Sequence, residues 1–305
     1  MPRSPLVLAA LASAAEPGLL PVSTRPTTSE GGDYDTAVVT DDRGRHWIVR
    51  APRRTAAGAA LESERALLAR LRGTGLPFAL PDPRRTVDLP EGGRAMVYPY
   101  LDGTPLHPGD LAPGPGLAPA LGRALAALHD LPRSVVEDAG LPSYSADEYR
   151  TRRIAELDEA AATGRVPSGL LTRWEKALED VGLWRFQPTV VHGDLAAEHV
   201  LVDGTEVVGL VDFGEAKVAD PADDLAWVAV GADERALDTV LEAYAVALTD
   251  QPDRHLAQRA RLAGELALTR WLLHGTRTSD QVVVDDAVGM LRELDADVGG
   301  SPLQG

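Results

Sequence analysis

The chain has 305 residues, 44% hydrophobic and 25% charged, the composition of a globular protein long enough for two packed cores. Its 46 acidic and 30 basic side chains leave a net charge of −16, which favours solubility, repels nucleic-acid backbones and attracts cationic small molecules. There is no cysteine, which excludes disulfides and thiolate chemistry, and no apolar run long enough to span a bilayer.

Arg3, the apolar run Leu6–Leu11 and Ala12-Ser13-Ala14 resemble an export signal with a cleavage site. Ser4-Pro5, however, is a helix start and Pro17-Gly18 a stop, so a first helix of the mature protein is expected. Alternation over Asp35–Thr40 and His46–Ala51, around a turn at Asp41–Arg45, predicts a hairpin. Leu61, Leu67, Leu68 and Leu71 predict a helix over Ala59–Arg72, ended by Gly73. Strands are expected over Arg85–Leu89 and Arg94–Tyr100. After Leu101-Asp102-Gly103 the texture turns helical, over Leu117–Leu131, Ala146–Thr163, Leu170–Leu183, Pro221–Val230, Glu234–Leu248, Arg254–His274 and Asp285–Asp297. A β cluster interrupts it at Thr189–His192, His199–Asp203 and Glu206–Asp212. The pattern predicts a bilobal α+β fold. Residues 1–100 form a small β-rich lobe with a leading helix, and residues 101–305 a large helical lobe.

The interrupting β cluster carries chemistry. Val190-Val191-His192-Gly193-Asp194 is an apolar strand running into a loop with a carboxylate, and His199 opens the next strand. A turn at Asp203-Gly204 leads to Val207–Val211 and then Asp212-Phe213-Gly214. A hairpin of that shape gathers Asp194, His199 and Asp212. Phosphoryl transfer needs a carboxylate to orient and deprotonate the acceptor hydroxyl, which suits Asp194. It also needs an oxygen ligand for Mg²⁺, which suits Asp212.

This set resembles the aminoglycoside phosphotransferase superfamily, relatives of protein kinases, through His192-Gly193-Asp194 and Asp212-Phe213-Gly214. His199 stands where most of that family has Asn, and the stretches 193–203 and 212–221 are similar to macrolide 2′-phosphotransferases. The resemblance implies Asp194 as catalytic base, Asp212 as magnesium ligand, and His199 as a second ligand or a phosphate hydrogen-bond donor. It implies structural roles for His192, Asp220 and Asp224, with Asp220-Pro221 opening a helix and Asp224 bracing the loop.

Lysine occurs only at Lys176 and Lys217, so the lysine that kinases place on a strand of the small lobe is missing. Arg50 on Trp47-Ile48-Val49-Arg50 takes its place, with Glu64 as expected partner and Glu62 as the alternative. Gly31 and Gly32 would let backbone amides approach a triphosphate, and the crossing segment Met96–Leu101, with Tyr98 and Tyr100, would supply backbone hydrogen bonds to the purine edge. For the acceptor, Trp271 and His274 are the candidates, and Asp285-Asp286 with Asp295 and Asp297 could serve a polycation. The resemblance implies a cytoplasmic monomeric kinase that uses Mg²⁺ and GTP, or ATP, on a macrolide. The alternatives are a kinase of aminoglycosides or other small alcohols, and a pseudokinase that binds nucleotide without turnover. No nucleic-acid or membrane partner is expected.

Overall fold

Ser4 caps α1 (Pro5–Ala15): its hydroxyl accepts the Val7 amide at 3.4 Å, with Pro5 at the first helical position. The computed structural model describes residues 2–27, 32–251, 253–298, 301 and 303. The strands β1 (Pro21–Pro26), β2 (Tyr34–Asp41), β3 (His46–Pro52), β4 (Arg85–Asp88) and β5 (Arg94–Pro99) form one antiparallel sheet, ordered β1-β2-β3-β5-β4. Leu8 and Ala12 of α1 join Val39, Trp47, Val49 and Val97 in the core on one face of this sheet. α2 (Thr55–Leu71) lies between β3 and β4 in the chain and packs on β3.

The expected hairpin forms as β2 and β3, with Val38 opposite Ile48. β1 escapes the alternation pattern because prolines stand at both its ends; an edge strand tolerates them, since one side of it needs no partner. α2 begins at Thr55, ahead of the expected Ala59, because Ala56 and Ala57 favour helix without marking an apolar stripe.

The remainder is mostly helical. It contains α3 (Leu117–His129), α4 (Ser134–Glu137), α5 (Ala146–Ala162), α6 (Ser168–Glu179), α7 (Ala222–Gly231), α8 (Glu234–Ala247), α9 (Leu256–Thr278) and α10 (Gln281–Val298). β6 (Thr104–Pro105), β8 (Val200–Asp203) and β9 (Glu206–Leu210) form a small sheet, and β7 (Thr189–Val191) pairs with β10 (Lys217–Ala219). The β8–β9 hairpin is the one the sequence predicts. β7 joins β10 instead, a strand too short to leave a pattern. One core gathers around α3, α7 and α8, and a second around α5, α6, α9 and α10. Among the described residues no helix is long and apolar enough to cross a membrane.

Gly122 lets α3 and α8 approach closely. A methyl there would meet the Val240 carbonyl and lie 2.8 Å from the Tyr244 amide nitrogen. Gly122→Ala should therefore lower stability by about 2–3 kcal/mol through overpacking, read as a lower thermal midpoint against wild type in the same buffer.

Candidate active site

The loop after β7 is shaped from beneath. Asp224, on α7 and fully buried, accepts the amides of His192 and Gly193, both at 2.8 Å. Asp224 is held in turn by His129 Nε2 at 3.0 Å, and His129 Nδ1 lies 2.8 Å from the Tyr244 hydroxyl. Burial alone would raise the Asp224 carboxyl. The hydrogen bonds from His129 and the loop amides outweigh it and keep the group below its ordinary value, so it is ionised. Gly193 takes φ +84°, and a side chain there would run into the Glu215 carbonyl and come within 2.6 Å of Lys217 Nζ. Only glycine satisfies both the dihedral and the space.

His192 is also fully buried, and its Nε2 donates to the Val211 carbonyl at 2.8 Å. Its Nδ1 has no partner, and burial lowers its pKa, so the ring is neutral. It packs between His199, at a centroid distance of 5.7 Å, and Phe213, at 4.7 Å. Asp220 accepts the Ala222 amide at 3.0 Å as α7 opens, and its carboxylate grips Arg259 through two bonds of 2.6 and 3.0 Å.

Asp194 stands at the tip of this loop. It is exposed, and its carboxylate has no hydrogen bond or ion pair among the described residues. Its carbonyl accepts His199 Nδ1–H at 2.9 Å. A carbonyl can only accept, so in the neutral ring Nε2 carries a lone pair, and it faces Asp212 Oδ2 at 3.7 Å. Asp212 adopts φ +69°, a left-handed conformation uncommon for a side-chain-bearing residue. Its side chain is 46% exposed, and Oδ1 meets Arg50 at 3.2 Å.

Arg50 bridges the two regions of the fold. It also pairs with Glu64 on α2 at 3.1 Å, and its guanidinium lies 4.6 Å from the centre of the Tyr34 ring. Burial pushes the Glu64 carboxyl up, and Arg50 pulls it back. Glu62 instead holds Arg65 and Arg94, at 2.9 and 2.8 Å. Tyr34, absent from the sequence-derived candidates, carried one signal: an aromatic beside the glycines of the loop before β2.

Two cavities lie beside these loops. The first, about 520 Å³, lies between the sheet and β8–β9, and is lined by Gly32, Tyr34, Arg50, Tyr98, Tyr100, His199 and Asp212 among others. Gly31 lies outside the described residues. Burial pushes the Tyr98 phenol up to about 12. The Tyr100 amide donates to the His46 carbonyl at 2.9 Å, continuing the pairing of β3 with β5.

The second cavity, about 450 Å³, is lined by Asp194, Glu215, Lys217, Tyr144, Arg152 and Arg270 among others. Trp271 and His274 do not line it. Their rings stack 5.6 Å apart along α9, and Trp271 donates to Asp286 at 3.0 Å, so they face α10. The acidic pairs of α10 do not line it either. Sequence periodicity points to the large aromatics of α9; the wall here includes the cations Arg152, Lys217 and Arg270, whose relevance only the tertiary fold reveals.

Asp212 offers the oxygen donor that a small hard cation prefers, with the softer imidazole of His199 beside it. A carboxylate oxygen left open toward the first cavity and an imidazole lone pair aimed at it are two donor groups facing each other. Among the described residues no third protein donor completes a cluster, as expected of an ion that also takes ligands from a phosphate chain.

The sequence matches the phosphotransferase enzyme family (APH) over residues 27–272. It is 31% identical over 269 residues to viomycin phosphotransferase of Streptomyces vinaceus, covering 82% of this chain and 88% of that one. The fold is similar to that of a macrolide 2′-phosphotransferase type I, at 30% identity and TM-score 0.78, with 94% of this chain and 96% of that one covered. It is similar also to macrolide 2′-phosphotransferase MphH from Brachybacterium faecium, at 26% identity and TM-score 0.79, covering 94% and 97%. The family match takes in Arg50, Asp194, His199 and Asp212, and on it the chain belongs to the phosphotransferase enzyme family and is a phosphotransferase acting on hydroxyl groups.

Proposed function

We propose that the protein transfers the γ-phosphate of GTP to the 2′-hydroxyl of a macrolide amino sugar, inactivating the antibiotic. The observation that carries this reading is the placement of Asp194 in one cavity and of Asp212, His199 and Arg50 in the adjoining one. Donor and acceptor then approach from opposite sides of a shared pair of loops. The 30% identity to a macrolide phosphotransferase over nearly the whole chain supports the acceptor class, as does His199 in place of Asn.

In this reading Asp194 accepts the acceptor proton as the new O–P bond forms and the bond from the γ-phosphorus to the leaving oxygen breaks, releasing GDP. Its unpartnered carboxylate is free to orient a hydroxyl. Arg50, fixed by Glu64 and the Tyr34 ring, grips phosphate oxygens through two N–H groups. Gly32 brings its backbone amide near the phosphates, and Tyr98 and Tyr100 wall the base. Asp212 and His199 would hold Mg²⁺, which when bound supplies positive charge against the phosphate oxygens. His192, Asp220 and Asp224 shape the loops. The small lobe over residues 1–100 is the nucleotide lobe, and residues 101–305 carry the acceptor site.

The identity to viomycin phosphotransferase favours a second reading, a kinase of another antibiotic alcohol. Incubation with Mg²⁺, GTP or ATP, and erythromycin, viomycin or kanamycin decides by product mass. A phosphate gain on erythromycin with GTP is expected; a gain confined to viomycin or kanamycin overturns the macrolide assignment.

Asp194→Asn should cut turnover by at least about 10²-fold while nucleotide and macrolide still bind by calorimetry. Turnover that survives the substitution would remove Asp194 from the base role, whereas binding without turnover in the wild type would mark a pseudokinase. Arg50→Lys should weaken nucleotide binding by about tenfold, since a point charge replaces a two-pronged grip. An unchanged dissociation constant would sink that role.

A further inference from the structure

The cavity at Asp194 has a charge pattern opposed to that of the chain as a whole. Its wall holds four cations, Arg152, Arg153, Lys217 and Arg270, and three carboxylates, Glu156, Asp194 and Glu215. Several of these are already engaged. Arg153 pairs with Glu156 at 2.6 Å and with the buried Asp223 at 3.4 Å. Lys217 donates to the carbonyls of Gly193 and Glu215, at 3.2 and 3.3 Å, and lies 3.9 Å from Asp223.

Arg152 and Arg270 remain. Both are exposed, and neither has a hydrogen bond or ion pair among the described residues. Arg152 is nevertheless held in place: its guanidinium lies 4.8 Å from the centre of the Tyr144 ring, and the Tyr144 amide is bonded to the Val218 carbonyl of β10 at 3.0 Å. Of the carboxylates, Glu156 is engaged and Asp194 faces the reacting hydroxyl. That leaves Glu215, which is exposed and without an ion pair among the described residues.

Apart from Asp194, which the reacting hydroxyl occupies, a polycation seated here would meet one available carboxylate and two guanidiniums. Like charges brought together in a partly desolvated pocket repel, and each ammonium left unpaired loses hydration without compensation. The net charge of −16 draws polycations toward the surface, but the pocket offers them no seat.

We propose that Arg152 and Arg270 form a charge filter. It turns away polycationic alcohols and admits acceptors with at most one positive charge, which Glu215 receives. The filter rests on the assignment of this cavity to the acceptor, and it separates the two acceptor classes left open above.

The test uses the full chain with GDP bound, titrated with kanamycin as the polycation. Arg152→Glu combined with Arg270→Glu should tighten kanamycin binding by at least about tenfold at low salt, and the gain should shrink at about 0.5 M salt as charges are screened. Arg152→Gln with Arg270→Gln should give a smaller gain, and Glu215→Gln should raise the KM for erythromycin more than it lowers kcat. Circular dichroism melts verify that each variant folds.

Unchanged kanamycin affinity in the folded double variant, or a gain indifferent to salt, overturns the filter. So does wild-type phosphorylation of kanamycin at a KM as low as that for erythromycin, an outcome that leaves hydroxyl phosphorylation intact. If the wild type phosphorylates neither compound but the double variant binds kanamycin more tightly in the salt-dependent manner, the macrolide assignment falls and the filter stands.

Discussion

Asp224 has no exposed surface and still carries a charge, and the loop bearing Asp194 is suspended from it. A buried carboxylate survives only if its lone pairs are occupied, and here two backbone amides and an imidazole occupy them. The dependence runs both ways. The amides of His192 and Gly193 have no regular strand partner where the chain leaves β7, so the carboxylate satisfies them as they satisfy it. Removing one member of such a set exposes the rest to desolvation, at about 3–5 kcal/mol. The left-handed glycine beside it then aims Asp194 outward with its own side chain unengaged.

Arg50 performs a comparable task between the sheet and the helical region. Glu64 and Tyr34 fix it from the sheet side, and Asp212 meets it from the far side of the cleft. A single guanidinium with several donors in a plane can serve two carboxylates at once, which a compact ammonium does less well. The strained backbone of Asp212 is tolerated at the place where that contact is made.

Much of this arrangement was legible in the sequence. Asp194, His199 and Asp212 announce themselves because a tight β-hairpin brings its two ends together, and β8 and β9 do so. Arg50 and Glu64 could be paired because one strand and the next helix fix their distance. Asp224 and Asp220 lie near the motif in sequence, although their partners, the loop amides of His192 and Gly193 and the Arg259 guanidinium, are reached only through the fold. What escaped depends on long-range packing. His129 sits at the end of an apolar helix and reads there as an isolated polar residue; its meaning comes from Asp224, far along the chain. Tyr34 matters through an aromatic face, and Arg152 and Arg270 through having no partner, which no periodicity encodes. Trp271 and His274 are large side chains near a helix end, and their stacked rings face α10.

The strand position held by Arg50 has a chemical consequence. With no cysteine in the chain and its two lysines at Lys176 and Lys217, the cleft between the lobes is lined by neither an amine nor a thiol side chain. Acylating reagents that label kinase clefts through a strand lysine would find no amine there. Lys217 lines the cavity beside Asp194 instead, so an amine-directed electrophile taken up at this site would tag that cavity and leave the one at Arg50 untouched. A covalent ligand for this cavity would have to address the phenols of Tyr34 or Tyr100, the imidazole of His199 or the guanidinium of Arg50.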